Sequence, residues 1–302
     1  MTTGAIALGE EQAAGPLRTG GGRTLLRIAR DNPLGAIGFF LVAVFIVVGT
    51  IGPIVAPYNP RQTNVDDQLE RPSLEHPFGT DGLGQDMLSR VLSGARLSLT
   101  IGAAAVCLGV VGGALVGVIS GYFGGLVDSV IQRTGEAGAA FPGLILFLTL
   151  IAALGRGVDT IIIGLTISGI IGGTRVLRAL TLVIKTSPFV EAARAAGATE
   201  VRILATHIIP NVIPIVIVIA SSALGAAVLA EAALSFLGIG VEPGTPSWGA
   251  DLAGRHLDDA RHDHWYLVAF PGAALSLVVL GFNLLGDTLR DVLDPRLRGS
   301  LR

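Results

Sequence analysis

Long apolar segments alternate with short polar segments along most of this chain. Six segments contain no charged residue, and they lie at positions 34–55, 97–127, 137–155, 160–174, 208–230 and 265–286. A helix needs about 20 mostly apolar residues to cross a bilayer. The fourth segment is shorter, and we expect its helix to extend past Asp159 or Arg175. The pattern predicts an all-α membrane protein with six transmembrane helices.

The charged residues predict how these helices are oriented. We divide the chain into a tail (1–33), whose stretch RTLLRIARDNP (23–33) is basic and amphipathic, and a transmembrane domain (34–302). If the N and C termini are both cytoplasmic, the cytoplasmic segments hold 14 of the 21 basic residues: four in the tail, Arg133, five from 175 to 202, and four after 286. An excess of Arg and Lys marks cytoplasmic segments. External loops then fall at about 56–96 and 237–264, and we expect their acidic residues to stay solvated or to orient an external partner.

Glycine recurs at every fourth position of the second segment, at Gly109, Gly113, Gly117, Gly121 and Gly125. This spacing places the glycines on nearly one face of a helix, where small residues let two backbones approach closely in lipid. The fourth segment repeats the pattern at Gly164, Ser168 and Gly172. We expect close helix packing within one bundle, and a seam to another subunit is the alternative.

Composition and motifs exclude several chemistries. Apolar residues make up 51% and charged residues 15% of the chain, and the net charge of −2 gives no reason to expect nucleic acid as a partner. A P-loop needs Gly-Lys-Ser/Thr after a glycine-rich turn, but the only lysine is Lys185, in LVIKTS. Neither HExxH nor GxSxG occurs, and the spans hold almost no ionisable residue, with Glu231 at the end of the fifth. No catalytic or metal site is predicted, and the energy for any transport comes from elsewhere.

The stretch VEAARAAGATEVRILATHIIPN, residues 190–211, interrupts the apolar pattern. Ser187 and Pro188 before it are typical of a helix N-cap and first position, and Glu191 falls in the first turn, where the helix dipole favours an anion. Gly197 suits the position just past the helix end. The pattern predicts a helix of about nine residues, or roughly 14 Å. Its small, alanine-rich surface suits docking into a partner's groove, and a plain connector is the alternative.

Thr199 predicts the cap of a second helix that continues into the fifth span. Pro210 and Pro214 lie at the start of that span. Because proline lacks an amide hydrogen and its ring contacts the preceding turn, we expect these two residues to kink or loosen the first turns.

The same stretch resembles the EAA loop of ABC importer permeases. Glu-Ala-Ala is followed after three residues by Gly, and HIIPN follows, a form similar to that of the peptide and nickel subgroup. The resemblance implies that the loop at about 186–210 couples the permease to ATPase subunits. The positions that carry this implied role are Glu191, Ala192, Ala193, Gly197, His207 and Pro210.

Three further stretches resemble the C-type subunit of dipeptide and oligopeptide importers. They are FGTDGLGQDMLSRVLSGARLSL (78–99), with Gln85 in place of the usual Arg, EAALSFLGIGVEPGTPSWG (231–249) and NLLGDTLRDVLDPRL (283–297). The resemblance covers residues 24–298. The family-motif positions are Gly79, Thr80, Asp81, Asp86, Trp248, Gly249, Asn283, Gly286, Asp287, Arg290, Asp291, Asp294 and Pro295.

The resemblance implies the transmembrane domain of a type I ABC importer, a multi-pass protein of the bacterial inner (cytoplasmic) membrane. The implied partners are a homologous second permease subunit, two ATPase domains on one or two polypeptides, an extracytoplasmic solute-binding protein, the lipid bilayer and a peptide substrate. The chain itself would be non-catalytic and hold no cofactor, because ATP and Mg²⁺ would be bound by the ATPase subunits.

Other functions stay open at this point. A nickel-chelate or glutathione importer of the same family would share these motifs, because specificity lies largely in the binding protein. A self-contained carrier would transport without partners, and a membrane scaffold would have no solute path. Activity of the chain alone in liposomes separates the carrier from a permease subunit.

Overall fold

The chain folds into a bundle of long helices with shorter helices at both ends. A computed structural model describes residues 32–293, and no strand occurs in that range. Most of the predicted amphipathic stretch 23–33 and the motif positions Asp294 and Pro295 lie outside the described residues. The helices are α1 (Pro33–Val55), α2 (Met87–Phe123), α3 (Gly125–Ala139), α4 (Gly143–Leu154), α5 (Val158–Lys185), α6 (Pro188–Ala195), α7 (Glu200–Ile203), α8 (Ile209–Phe236), α9 (Trp248–Asp251), α10 (Arg255–Ala260) and α11 (Tyr266–Leu293).

Five of the six predicted spans are confirmed as helices long and apolar enough to cross a membrane. They are α1, α2, α5, the segment from α7 through α8, and α11. Their ends differ from the predicted ones. α2 begins at Met87 because the Asp86 carboxylate accepts a hydrogen bond from the Ser89 amide at 2.8 Å and caps the helix. α5 extends past both Asp159 and Arg175, as expected.

The third predicted span is wrong as a continuous helix. The segment 137–155 divides into the end of α3 and the whole of α4, which meet at an angle of 87°. Pro142 causes the break, because proline disfavours helical conformation in the preceding residue, here Phe141. The 12 residues of α4 extend only about 18 Å, too short to cross the bilayer alone. Residues 32–293 therefore contain five spans, or six if the bent pair counts as one.

α2 is the central helix of the bundle. It packs against α5 on one side and against α8 and α1 on the others, while α11 packs against α8 and α1. α2 ends at Phe123 and not at 127, because Gly124 and Gly125 both adopt positive φ, at +67° and +55°. The turn places α3 beside α5, where the Arg178 guanidinium donates two hydrogen bonds of 2.5 Å to the Asp128 carboxylate.

The glycine face of α2 lies against α5 within the same chain. A Cβ atom built on Gly109 would lie 3.3 Å from the Cα of Gly169, and one on Gly113 would lie 3.2 Å from the Cα of Gly173. We call these four glycines, together with Gly117 and Gly121, the glycine seam. Gly125 lies outside it, in α3. On α5, Gly164 contacts the Phe147 ring and Gly172 has open space, so neither is the partner of the α2 glycines.

The two ends of the bundle are built differently. Residues 56–86 and 237–265 cover one end, which we call the loop face. At the other end lie α6, α7 and the turn that follows them, and we call this the short-helix face. An apolar cluster beneath the short-helix face joins α6, α7 and the following turn to α2, α5 and α8. Its buried members are Val118, Tyr122, Leu177, Ile184, Val190, Ile203, Ile208 and Val212.

Candidate functional site

The helix α6 begins at the predicted residues, with Ser187 at the N-cap and Pro188 at the first position. The amides of Val190 and Glu191 donate to the Ser187 carbonyl at 3.0 and 3.2 Å. The Ser187 hydroxyl does not cap the helix, because it donates to the carbonyl of Ile184 at 2.6 Å. The backbone and Pro188 therefore define this helix start, and Glu191 lies in its first turn.

The helix α6 ends in a Schellman motif. Gly197 has the predicted left-handed conformation, with φ of +81°, and its amide donates to the Arg194 carbonyl at 3.0 Å. The amide of Ala198 donates to the Ala193 carbonyl at 3.1 Å. Ala193 and Ala198 both pack against the apolar cluster of the short-helix face. The helix has eight residues, close to the predicted length.

Most of the α6 surface is free of contacts with the rest of the described chain. Val190 is the only fully buried residue of this helix, at 0% exposure. The exposed residues include the predicted Glu191 and Ala192 and also Arg194 and Ala195. α6 is thus fixed at both ends and anchored by the buried Val190 and the partly buried Ala193, and the rest of it presents a small, partly charged surface.

The loosened turn expected near Pro210 occurs just before it. Thr199 caps α7 by accepting a hydrogen bond from the Arg202 amide at 3.3 Å, and a π-helical turn at Leu204–Ile208 then leads into α8. Pro210 lies at the beginning of α8. It has no amide hydrogen to donate to the preceding turn, and the irregular hydrogen bonding of a π turn accommodates this missing donor. His207 is half-buried, and its ring lies 6.0 Å from that of Phe189, so it packs beside α6.

A polar contact on the short-helix face escaped the sequence analysis. Tyr122, at the end of α2 and 3% exposed, donates its hydroxyl to the carboxylate of Glu200, the first residue of α7. Lys185 donates to the Tyr122 carbonyl at 2.5 Å, and its ammonium lies 5.6 Å from the centre of the Tyr122 ring. Arg194 lies 3.7 Å from the Glu200 carboxylate. The sequence offered one sign of this contact: Lys185, the only lysine, and Tyr122 each lie near the end of an apolar segment.

At the loop face, the family-motif residues of the first loop form a compact turn. Gly79 has φ of +73°, and a Cβ built there would lie 2.6 Å from the Tyr266 ring. The Thr80 hydroxyl accepts a hydrogen bond from the Glu70 amide at 2.9 Å. Asp86 caps α2 and also bonds to His76 at 2.9 Å. These residues fold the first loop back onto the start of α2.

The second loop is joined to α2 through Trp248 and Asp251. Trp248 is fully buried, and its indole nitrogen donates to the Val91 carbonyl at 3.0 Å. Arg90 donates from Nε to Asp251 Oδ1 at 3.1 Å and also bonds to it through Nη2. A Cβ on Gly249 would lie 2.1 Å from the Ala232 carbonyl oxygen, so only glycine fits there.

Asp81 and His256 join the two loops. The Asp81 carboxylate accepts hydrogen bonds from the Leu83 and Gln85 amides, both at 2.8 Å, and its second oxygen lies 3.1 Å from His256 Nε2. Burial opposes the charged form of Asp81, but the hydrogen bonds with His256 and the two amides outweigh it and lower the pKa of Asp81. Burial also opposes the charged form of His256, yet its contacts with Asp81 and Asp251 raise the pKa of His256 above 6.5.

Three acidic residues of the external loops are neither solvated nor free to orient a partner, contrary to our expectation. Asp81, Asp86 and Asp251 are 1%, 2% and 0% exposed and bind side chains of this chain. Burial dominates at Asp251 and raises the pKa of its carboxyl despite the nearby Arg90. These acids stabilise the loops internally.

Glu231 also differs from the prediction, because α8 continues to Phe236 and places this residue inside the helix. Its carboxylate is fully buried and accepts hydrogen bonds from three hydroxyls: Ser98 at 2.7 Å, Ser235 at 2.9 Å and Ser247 at 2.9 Å. Ser98 belongs to α2 and Ser247 to the second loop. The carboxylate thus links α2, α8 and that loop.

The motif residues near the chain end are dispersed along α11. Gly286 is buried, and a Cβ there would lie 2.8 Å from the Ser222 hydroxyl of α8. Asn283, Asp287, Arg290 and Asp291 are exposed. They do not join the other predicted site residues.

Comparison with known proteins gives concordant matches. Residues 113–299 match the family described as binding-protein-dependent transport system inner membrane component, and residues 22–72 match the N-terminal transmembrane domain of oligopeptide transport permease C. The chain is 41% identical over 271 residues to the glutathione transport system permease protein GsiD of Escherichia coli O157:H7, which covers 89% of each protein. It is 40% identical over 263 residues, or 87% of this chain and 88% of the relative, to a Brucella suis biovar 1 (strain 1330) protein provisionally described as a peptide transport system permease.

Proposed function

The chain belongs to the family of binding-protein-dependent transport system inner membrane components, and we propose that it takes up peptides as one of two permease subunits in an ATP-driven importer. It is a permease subunit, which supplies part of the path through the membrane. No P-loop occurs in its sequence. The energy for directional uptake therefore comes from ATPase subunits, which bind ATP and Mg²⁺.

The exposed surface of α6 is the observation that carries the proposal. The helix is held by hydrogen bonds at its start and by a Schellman motif at its end, and Val190 is its only fully buried side chain, with the partly buried Ala193 packed beside it. A helix of eight residues is marginal in water without such fixed ends. A partner's groove that receives the exposed face would complete the burial. We assign this role to an ATPase subunit, with Glu191 and Ala192 at the contact.

The distribution of charge supports a position for each partner. The excess of basic residues supports a cytoplasmic position for the short-helix face, with the bundle in the inner membrane of a bacterium. Two ATPase domains would bind at that face. The loop face would then be extracytoplasmic and receive the solute-binding protein, and the second permease subunit would complete the path.

The substrate is proposed from the relatives. One is described as a peptide transport permease and another as a glutathione transport permease. Glutathione is itself a small peptide, so a short peptide is the chemistry that these names share. Uptake of nickel chelates is the alternative within the same family.

Reconstitution tests this function. The complex that co-purifies with this chain from its native membrane is placed in liposomes, and uptake of labelled di- and oligopeptides, glutathione and a nickel chelate is measured with and without ATP. We expect ATP-dependent uptake of a peptide by the complex and none by the chain alone. Uptake by the chain alone would establish a carrier, and uptake restricted to the nickel chelate would reassign the substrate.

A charge reversal tests the docking surface. Glu191→Arg should lower uptake roughly tenfold or more, because an opposed charge at an interface costs several kcal/mol. Glu136→Arg is the matched control, since Glu136 is also an exposed glutamate, on α3. Equal uptake by both variants and the native complex would contradict docking through α6.

A further inference from the structure

We propose that Tyr122 and Glu200 form a positioning contact that transmits movement of α6 to α2, an inference that rests on the proposed docking of an ATPase subunit at α6. Tyr122 lies in the last turn of α2, and Glu200 is the first residue of α7. The hydroxyl of Tyr122 donates to the Glu200 carboxylate. The two residues are separated by 78 positions in the sequence, so the bond joins distant elements.

The Glu200 side of this contact moves with α6. The Schellman bond from the Ala198 amide to the Ala193 carbonyl holds the connection between α6 and α7 in one conformation. Arg194, in the last turn of α6, lies 3.7 Å from the Glu200 carboxylate. A displacement of α6 therefore displaces Glu200 with it.

The Tyr122 side is held by α2 and α5. The Tyr122 ring is buried in the apolar cluster of the short-helix face. Lys185, the last residue of α5, donates to the Tyr122 carbonyl and places its ammonium over the ring. These contacts prevent the ring from following Glu200 alone, so α2 receives the displacement.

The covalent connection from α7 to α8 is less regular than an α-helix. It passes through the π turn at Leu204–Ile208 and reaches Pro210 at the start of α8. A π turn departs from the regular hydrogen-bond ladder of an α-helix and is frequently found at functional sites. Displacement that this turn absorbs does not reach α8, whereas the Tyr122–Glu200 contact connects α7 to α2 without passing through the turn.

α2 can carry this displacement to the loop face. It has 37 residues without an internal proline and extends about 55 Å. Its first turn holds Arg90, which binds Asp251 of the second loop, and Asp86 at its cap binds His76 of the first. One uninterrupted helix thus joins the docking helix to both loops.

The test uses Tyr122→Phe, Glu200→Gln and the double variant in the complete transporter complex. The quantity measured is peptide taken up per ATP hydrolysed, together with the amount of ATPase subunit retained. We expect each single variant to lower this ratio roughly fivefold or more, since coupling between sites is worth about 1–3 kcal/mol. The double variant should be no worse than either single one, because both remove the same bond.

Two matched controls remove similar groups elsewhere. Tyr58→Phe deletes a phenol hydroxyl that makes no hydrogen bond within residues 32–293, and Glu136→Gln neutralises an exposed glutamate with no ion pair in that range. Both should keep the native ratio. An unchanged ratio in Tyr122→Phe and Glu200→Gln, additive losses in the double variant, or a lower yield of complex with an unchanged ratio would each overturn the inference. Absence of peptide uptake by the native complex would instead contradict the proposed function.

Discussion

Arg90, in the first turn of α2, donates two hydrogen bonds to the carboxylate of Asp251, which lies 161 residues later in the chain. Both side chains are almost completely buried, at 5% and 0% exposure. Breaking a buried ion pair leaves an uncompensated charge, which is more costly than losing the bond itself. This pair is therefore a sensitive point in the attachment of the second loop.

We expect Arg90→Met to lower the free energy of unfolding by about 3–5 kcal/mol, because Asp251 would stay buried without its partner. Thermal unfolding of the purified complex measures this loss. Arg261→Met is the control: Arg261 pairs with Asp258 at the surface, both about 70% exposed, and should change stability by less than about 1 kcal/mol. Adding Asp251→Asn to Arg90→Met should recover part of the loss, and a further loss would contradict this explanation.

The glycine seam gives a second prediction. Gly117→Ala places a Cβ 2.7 Å from the Thr174 carbonyl oxygen, so α2 and α5 must separate. We expect this variant to cost about 1–3 kcal/mol, measured as a lower unfolding temperature of the complex. Gly172→Ala, on α5 but facing open space, should be neutral or slightly stabilising. Equal effects of the two substitutions would show that the seam does not hold the helices together.

Gly197 is required for its backbone conformation and not for lack of room for a side chain. Nothing lies within 4 Å of a Cβ built there, so only its φ of +81° restricts the side chain. Gly197→Val should distort the end of α6 and reduce both retention of the ATPase subunit and peptide uptake, since a β-branched residue at positive φ is strongly disfavoured. Gly197→Asn should retain most of the activity, because Asn tolerates this conformation. Loss of activity in Asn to the same extent as in Val would point to a steric requirement of the partner.

His256 predicts a dependence of stability on pH. Its pKa is raised in the folded protein, so its contribution is present in full below about pH 6.5 and is lost as the pH rises through the higher folded-state pKa. The charged groups that face it are Asp81, Asp251 and, more weakly, Arg90.

We therefore expect His256→Gln to lower the unfolding temperature of the complex more at about pH 5.5 than at about pH 9. The difference between native and variant curves isolates His256 from other titrating groups. His262→Gln, an exposed histidine of the same loop, should leave the curve unchanged. A constant difference across the pH range would mean that His256 has the same pKa in the folded and unfolded protein, which would contradict this prediction.

Local features were predictable from the sequence, and contacts between distant segments were not. The start of α6 at Ser187 and Pro188 and its end at Gly197 follow from backbone preferences within a few residues, and both were found at the predicted positions. The break at Pro142 also has a local cause in the sequence. The prediction missed it because it relied on the apolar length of 137–155. Length alone does not distinguish a straight span from a bent pair.

The bonds Arg90–Asp251 and Tyr122–Glu200 could not be read from one sequence. Each joins residues whose separation depends on how several helices pack. The same holds for Asp81, Asp86 and Asp251 of the external loops, for which composition predicted solvent exposure but which tertiary contacts bury. Hydropathy is an average over a segment, so it does not indicate which side chains from distant segments are in contact.

The glycine seam has an entropic consequence. Long side chains lose rotamer freedom when they pack, at a cost of up to about 2 kcal/mol each. Where Gly109 meets Gly169 and Gly113 meets Gly173, neither helix has a rotamer to lose. Association of α2 with α5 at these positions is opposed only by the ordering of the two helices as whole bodies. The central contact of the bundle is thus made where the side-chain entropy cost is zero.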